Sequence, residues 1–299
     1  PGKVTIQDLR AYYNGCASLE LDVASLEGRM QFATDCVVAS RKHEAEAYYA
    51  MTTGVGKLAS VRVSVEDAEK LQENLVLSHC CGIGPPLPMD IVRLIMVLKM
   101  LSLSHGASGV RAHLVRFLAT MLDNKLTPII PEKGSVGASG DLAPLSHLTA
   151  AMLGQGCIKT GNGETIAAAK ALLSVGLEPV RLKAKEGVAM INGTQVSTAI
   201  ALAGLFRAHR ALASSIVSGA LSTDAAMEST APFHPEIHLL RGHRGQKDVA
   251  MVLRALIQDS EVRASHLLGD PRVQDPYCLR CQPQVLGACL DLLRQAAST

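Results

Sequence analysis

The sequence contains no tryptophan, and aromatic residues together make up 3% of it. That scarcity removes the stacking platforms on which single-stranded nucleic acids bind. Charge is also sparse and balanced: 19% of residues are charged, and 29 Lys and Arg against 27 Asp and Glu leave a net charge of +2. The basic residues fall in short groups such as Arg207/Arg210 and Arg241/Arg244/Lys247, so no electrostatic footprint for nucleic acid emerges. There is no phosphate loop of the form GxxxxGK[ST], and Gly134/Gly137/Gly140 do not have dinucleotide-binding spacing. The longest apolar stretches, residues 91–104 and 196–206, are too short or too interrupted for the ~20 residues of a membrane span. The first ten residues lack the apolar centre of a signal segment. The expectation is a cytoplasmic protein with neither a membrane nor a nucleic acid as partner.

What is present is enough apolar chain for a sizeable core: 299 residues, 48% of them hydrophobic, with a mean hydropathy of +0.20. The 8 cysteines are irregularly spaced, and a chain of this length folds without staples, so they read as reduced thiols. Helical patterns dominate. Residues 90–104 are apolar round most of a helix, broken by Arg93 and Lys99, and residues 113–123 repeat the pattern with Asn124 as a left-handed terminator. Pro128 and Pro131 force residues 125–134 to be extended. Asp141 is a candidate N-cap for a helix that carries Pro144 in its first turn and ends at Gly154. Residues 157–166 read as a small hairpin about Gly161-Asn162-Gly163. Residues 167–174 form a short helix, and residues 188–221 one long alanine-rich helix with Asn192 or Thr194 as its cap.

Two generic motifs are weak. Cys278 and Cys281 form a CxxC without a second pair at zinc spacing. His234 and His238 are four apart, but Pro235 stands where a zincin helix requires Glu. The sequence holds no convincing metal site. Ala138-Ser139-Gly140 is a tripeptide that also occurs as Ala107-Ser108-Gly109, so its surroundings have to carry any argument.

Those surroundings are specific. The fourteen residues 134–147, GSVGASGDLAPLSH, resemble the signature of the aromatic amino-acid ammonia-lyases, which comprise histidine, tyrosine and phenylalanine lyases and related aminomutases. The resemblance implies that Ala138, Ser139 and Gly140 are precursors of 4-methylidene-imidazol-5-one, an electrophile formed autocatalytically, with no dissociable cofactor. The residue types suit that chemistry. Gly140 lacks Cβ, so its nitrogen can approach the Ala138 carbonyl; Ser139 supplies a hydroxyl that leaves as water; Ala138 does not obstruct closure. A following helix N-terminus favours negative charge developing on the ring. The second copy lacks this context and is expected to stay uncyclised.

Further blocks are similar to the family from residue 49 to residue 284. Tyr49, in AYYAMTTGVG, resembles the catalytic tyrosine of a loop, although the family more usually has Asn at Thr52 and Phe at Val55. LVLSHCCGIGPPL, residues 75–87, resembles the substrate-selectivity segment, in which a Ser-His pair such as Ser78-His79 implies histidine as substrate; His79 can bond an imidazole. Asn192, in INGTQ, is implied as a polar contact near the electrophile. VQDPYCLRCQPQ, residues 273–284, carries over Gln274, Tyr277 and Arg280, with Arg280 as partner of the substrate carboxylate.

The resemblance therefore implies a mainly α fold: an N-terminal domain, residues 1–190, with some β structure and the electrophile loop, then residues 191–299 as the start of a central helical bundle. It implies L-histidine deaminated to trans-urocanate and ammonia, in a homotetramer with sites shared between subunits. Tyrosine or phenylalanine lyase or aminomutase chemistry is the nearest alternative. The chain also stops inside a helical pattern, so a truncated, non-catalytic helical fragment is the alternative of another class.

Overall fold

A computed structural model describes residues 3–41, 47–64 and 66–299. The chain is mainly helical, 58% helix and 6% strand. It divides into two compact units, residues 1–201 and 202–299.

In the first unit, α1 (Ile6–Tyr13) opens with a reciprocal cap in which Thr5 and Asp8 satisfy each other's backbone N–H. It is followed by α2 (Val23–Arg41), α3 (Ala68–Ser78), β1 (Ile83–Pro86), α4 (Met89–Leu103) and α5 (Ala112–Asp123). Then come β2 (Thr127–Pro128), β3 (Pro131–Lys133), α6 (Leu142–Met152), β4 (Cys157–Lys159), β5 (Thr165–Ala167), α7 (Ala168–Leu173) and α8 (Glu186–Ile191). α4 and α5 hold the centre of the core: Leu94, Ile95, Met96, Leu114, Val115, Leu118 and Met121 are all fully buried. Removal of this much apolar surface from water is the main stabilising term. β1 pairs antiparallel with β3, and β2, β4 and β5 form a small antiparallel sheet.

α9 (Gln195–Ala225) begins in the first unit and continues into the second. The second unit adds α10 (Pro235–Arg241), α11 (Arg244–Ile257), α12 (Glu261–Ala264), α13 (Tyr277–Arg280) and α14 (Gln282–Ser298). Its core gathers Ala220, Phe233, Val249, Leu253 and Ile257, with Leu286 and Leu290 packed against them. α11 and α14 touch through backbone: a side chain on Gly287 would collide with the backbone of Gly245 and Gln246.

Several local expectations are corrected. The helix expected over residues 188–221 is two helices, broken at residues 192–194; Asn192 is the C-cap of α8 rather than an N-cap. Asn124 is not left-handed (φ −90°); Lys125, with φ +55°, makes that turn. The apolar stretch at residues 196–206 belongs to a longer run, residues 186–225, which by length and composition alone could cross a membrane (mean hydropathy 1.3). The break at 192–194 falls inside that run. All eight cysteines are free, and burial pushes the Cys80 thiol up to about 11.

Candidate active site

Asn192 and the 75–87 segment lie against the loop between β3 and α6. Asp141 stands at the N-cap position of α6, but its side chain does not cap the helix. It is fully buried and turns back into the loop: Oδ1 accepts the Val136 N–H (2.9 Å), and Oδ2 accepts the Ser135 hydroxyl (2.5 Å). Ser135 Oγ in turn receives the Gly137 N–H (3.3 Å). Ala138 and Ser139 are exposed and Gly140 is half-buried. Asp141 therefore ties down the stretch before the tripeptide while its own N–H donates to Gly193 O (3.3 Å).

Asn192 backs the tripeptide. A Cβ on Gly140 would lie 2.7 Å from Asn192 Oδ1, so a side chain here would have to displace the Asn192 amide. The tripeptide is thus preceded by a stretch anchored on a buried carboxylate, with Gly140 packed against the Asn192 amide.

The 75–87 segment lies against the same loop. β1 pairs with β3, and a Cβ on Gly134 would lie 3.2 Å from the Cα of Gly82. Gly82 N–H donates to His147 Nε2 (3.0 Å), which ties the segment to α6; burial holds His147 below the usual histidine range, as an accepting nitrogen requires. His79 is the C-cap of α3, and its Nδ1 lies 2.7 Å from Leu75 O. A carbonyl only accepts, so Nδ1 bears a proton, and in that tautomer Nε2 is the ring's acceptor.

Tyr49 is exposed, and its hydroxyl accepts the Gly56 N–H (3.1 Å), which closes its own loop; among the described residues no hydrogen bond joins it to the tripeptide. Thr52, where the family more usually has Asn, is buried, and its hydroxyl accepts the Tyr48 N–H (2.9 Å). Behind this loop, buried Gln72 links two parts of the site. Its Nε2 donates to Ala50 O (2.9 Å), and its Oε1 accepts from Val188 N–H on α8 (3.1 Å).

In the second unit, Gln274, Tyr277 and Arg280 come together. Arg280 Nε donates to Asp275 O (2.8 Å), and the guanidinium lies 5.2 Å from the centre of the Tyr277 ring. With the Gln274 amide oriented by its hydrogen bonds, its oxygen accepts from Nη1 and Nη2, both at 2.9 Å. Of five guanidinium N–H groups, three are used here; the other two, one on Nη1 and one on Nη2, point to opposite edges of the planar group. His234 and His238 form no pair: His238 is buried at 1% exposure, with Nε2 donating to Pro232 O and Nδ1 accepting from Gln246.

Sequence reasoning missed Gln72, His147, Glu186 and Lys99. Each acts on backbone groups distant in sequence, which no local motif reveals. Glu186 accepts from the Arg111 N–H (3.1 Å), Arg111 Nε (2.8 Å), Arg111 Nη2 (2.7 Å) and the Lys183 N–H (2.7 Å), which fixes the start of α8.

A helical protein with a glycine-rich loop of this form falls, by its fold, among the amino-acid lyases and aminomutases. Its structure resembles the Pantoea agglomerans phenylalanine aminomutase (25% identity, TM-score 0.87), covering 99% of this chain and 59% of that one. The Streptomyces globisporus tyrosine aminomutase is 31% identical with a TM-score of 0.87, over 99% of this chain and 58% of that one. The Trypanosoma cruzi histidine ammonia-lyase is 31% identical with a TM-score of 0.84, over 98% of this chain and 54% of that one. The family model described as aromatic amino acid lyase matches residues 4–299, and the chain belongs to that family. It spans little more than half the length of these three relatives.

Proposed function

We propose that this chain belongs to a histidine ammonia-lyase that converts L-histidine to trans-urocanate and ammonia. The observation that carries the reading is that the segment bearing Ser78-His79 pairs, through residues 82–86, with the strand leading into the Ala138-Ser139-Gly140 loop. The imidazole of the substrate would donate its N–H to His79 Nε2, a partner that a phenol or phenyl ring does not need. The electrophile derived from residues 138–140 supplies an acceptor for the substrate amine and makes that amine a better leaving group.

The chain's own side chains do the rest. Arg280 binds the substrate carboxylate by its charge and one free Nη N–H, held in orientation by Gln274 and Tyr277. Tyr49 removes the β-proton once its loop brings the hydroxyl to the substrate, and Asn192 orients the reacting amine. The β-proton is weakly acidic, so positioning provides much of the rate. The working protein is a cytoplasmic homotetramer in this reading.

Intact mass and absorbance test it. The cyclised chain weighs two water molecules less than its sequence, and Ser139→Ala restores the full mass. Incubation with L-histidine gives the ultraviolet absorbance of urocanate. A cyclised protein that acts on tyrosine instead replaces this reading with a tyrosine lyase or aminomutase, a class matched at the same 31% identity as the histidine ammonia-lyase. A folded chain that neither cyclises nor reacts is the non-catalytic fragment.

A further inference from the structure

Lys99 is 1% exposed and sits on α4 among Leu94, Ile95, Met96, Met100 and Leu103. A lysine in such surroundings gives up hydration and side-chain freedom, so its presence calls for a reason. Among the described residues it takes part in no ion pair; Nζ instead donates to two carbonyls, Ala189 O (2.6 Å) and Asn192 O (3.1 Å). Burial lowers its pKa to about 7. Either protonation state has enough N–H groups for both bonds.

Both carbonyls lie at the C-terminal end of α8, where helix carbonyls lack intrahelical partners. Asn192 leaves that helix in an extended conformation (φ −94°, ψ 120°) with its amide against Gly140, and Gly193 O accepts the Asp141 N–H. The dipeptide 192–193 is thus held by Lys99 on one side and touches both Gly140 and Asp141 on the other.

We propose that Lys99 is a positioning residue for ring closure: by fixing the Asn192 carbonyl it keeps the Asn192 amide against Gly140 and the Gly140 nitrogen near the Ala138 carbonyl carbon. The inference rests on the reading of residues 138–140 as the electrophile's precursor. In that closure the Gly140 nitrogen bonds to the Ala138 carbonyl carbon. The Ala138 oxygen leaves as water with the protons of the Gly140 and Ser139 N–H groups. The Ser139 hydroxyl leaves with its Cα proton as a second water, so no oxidant or reductant is consumed.

The experiment compares intact masses of the wild-type chain and Lys99→Met after refolding, with far-ultraviolet circular dichroism and thermal melts as controls. Lys99→Met is expected to fold with an unchanged or higher melting temperature, because burying a methionine costs less than burying an amine. Its two-water loss is expected to proceed roughly tenfold more slowly than in the wild type, the effect of losing the hydrogen bond to the Asn192 carbonyl. A purely structural lysine would move the melt and leave the mass alone. A folded Lys99→Met that loses two waters at the wild-type rate overturns the proposal. If Lys99→Met does not fold, Lys99→Gln decides: its shorter amide reaches at most one carbonyl, so slowed closure supports the role and an unchanged rate overturns it. A wild-type chain that folds without losing water overturns the functional reading and this inference together, whereas normal closure in both chains overturns the inference alone.

Discussion

At the scale of single residues, the site turns on contacts that tolerate little change. Gly140→Ala places a methyl 2.7 Å from Asn192 Oδ1, well inside contact distance, so the Asn192 amide is pushed off the turn or the turn opens. The expected outcome is a folded chain that keeps its full sequence mass, measured by mass spectrometry; normal loss of two waters would show that the Asn192 contact does not constrain the turn. Ser108→Ala, in the second tripeptide, should leave the mass deficit untouched. Gln274 offers a different reading. It is the acceptor for both Nη groups of Arg280, and Gln274→Leu leaves the guanidinium held only by Asp275 O and the Tyr277 ring. If Arg280 binds the substrate carboxylate, the KM for the amino acid should rise about tenfold while kcat changes less, because ground-state and transition-state binding weaken together. A fall confined to kcat would assign Gln274 to the chemistry instead. The grouping of Gln274, Tyr277 and Arg280 was legible in the sequence through one block of residues. The Asp275 carbonyl that anchors Arg280 was not, because every residue has a carbonyl and none advertises its partner.

At the scale of elements, α8 is the part that the sequence hid and the site depends on. Residues 188–221 read as one helix because Ala, Met, Ile and Val run through both halves, and a single Gly costs a helix only ~1 kcal/mol. What breaks it is tertiary: the Lys99 bonds to the end of α8 and the Asp141 bond to Gly193 hold residues 192–193 out of helical register. Six residues cannot form a stable helix alone. α8 is held at its start by Glu186, at its middle by Gln72 and at its end by Lys99. Glu186 is 1% exposed, and its carboxylate takes both arms of Arg111. Glu186→Ala removes those acceptors, strands the Lys183 N–H and should cost about 3 kcal/mol, read from a urea midpoint at unchanged slope. A shift of less than ~1 kcal/mol would mean that Arg111, one-third exposed, simply turns to water. Asp141 was legible as the residue ahead of α6, but its role was not. As a cap it would satisfy helix N–H groups, whereas here it satisfies the loop.

At the scale of the whole molecule, the mainly α fold was legible because helical periodicity depends only on spacing, and the strands were partly legible because prolines and the Gly-Asn-Gly turn mark them. Net effects of burial were not legible, and they set how stability depends on pH. Partial desolvation holds His113, His147 and His238 below the usual 6.5, and Arg111 and Arg116 add to it at His113. The unfolded chain then binds more protons than the native one just below pH 6.5, so stability falls as the pH drops through that region. Lys99 extends the same sign to alkaline pH. Its pKa drops from 10.5 to about 7, so between those values the unfolded chain again holds the extra proton and stability rises with pH. Cys80 opposes it: its thiol, raised from 9.0 to about 11, stays protonated in the native state, so stability falls once the unfolded thiol ionises above pH 9. A slope of one proton amounts to ~1.4 kcal/mol per pH unit, enough for the Lys99 contribution to decide the trend from pH 7 to 9. The melting temperature should therefore climb across that interval and level off near pH 9, where the two opposing slopes begin to cancel. Lys99→Met removes the climb and leaves the acid limb of the histidines in place. A wild-type profile flat from pH 7 to 9 would mean that the Lys99 amine keeps its proton in the core, held by the Ala189 and Asn192 carbonyls strongly enough to offset its burial.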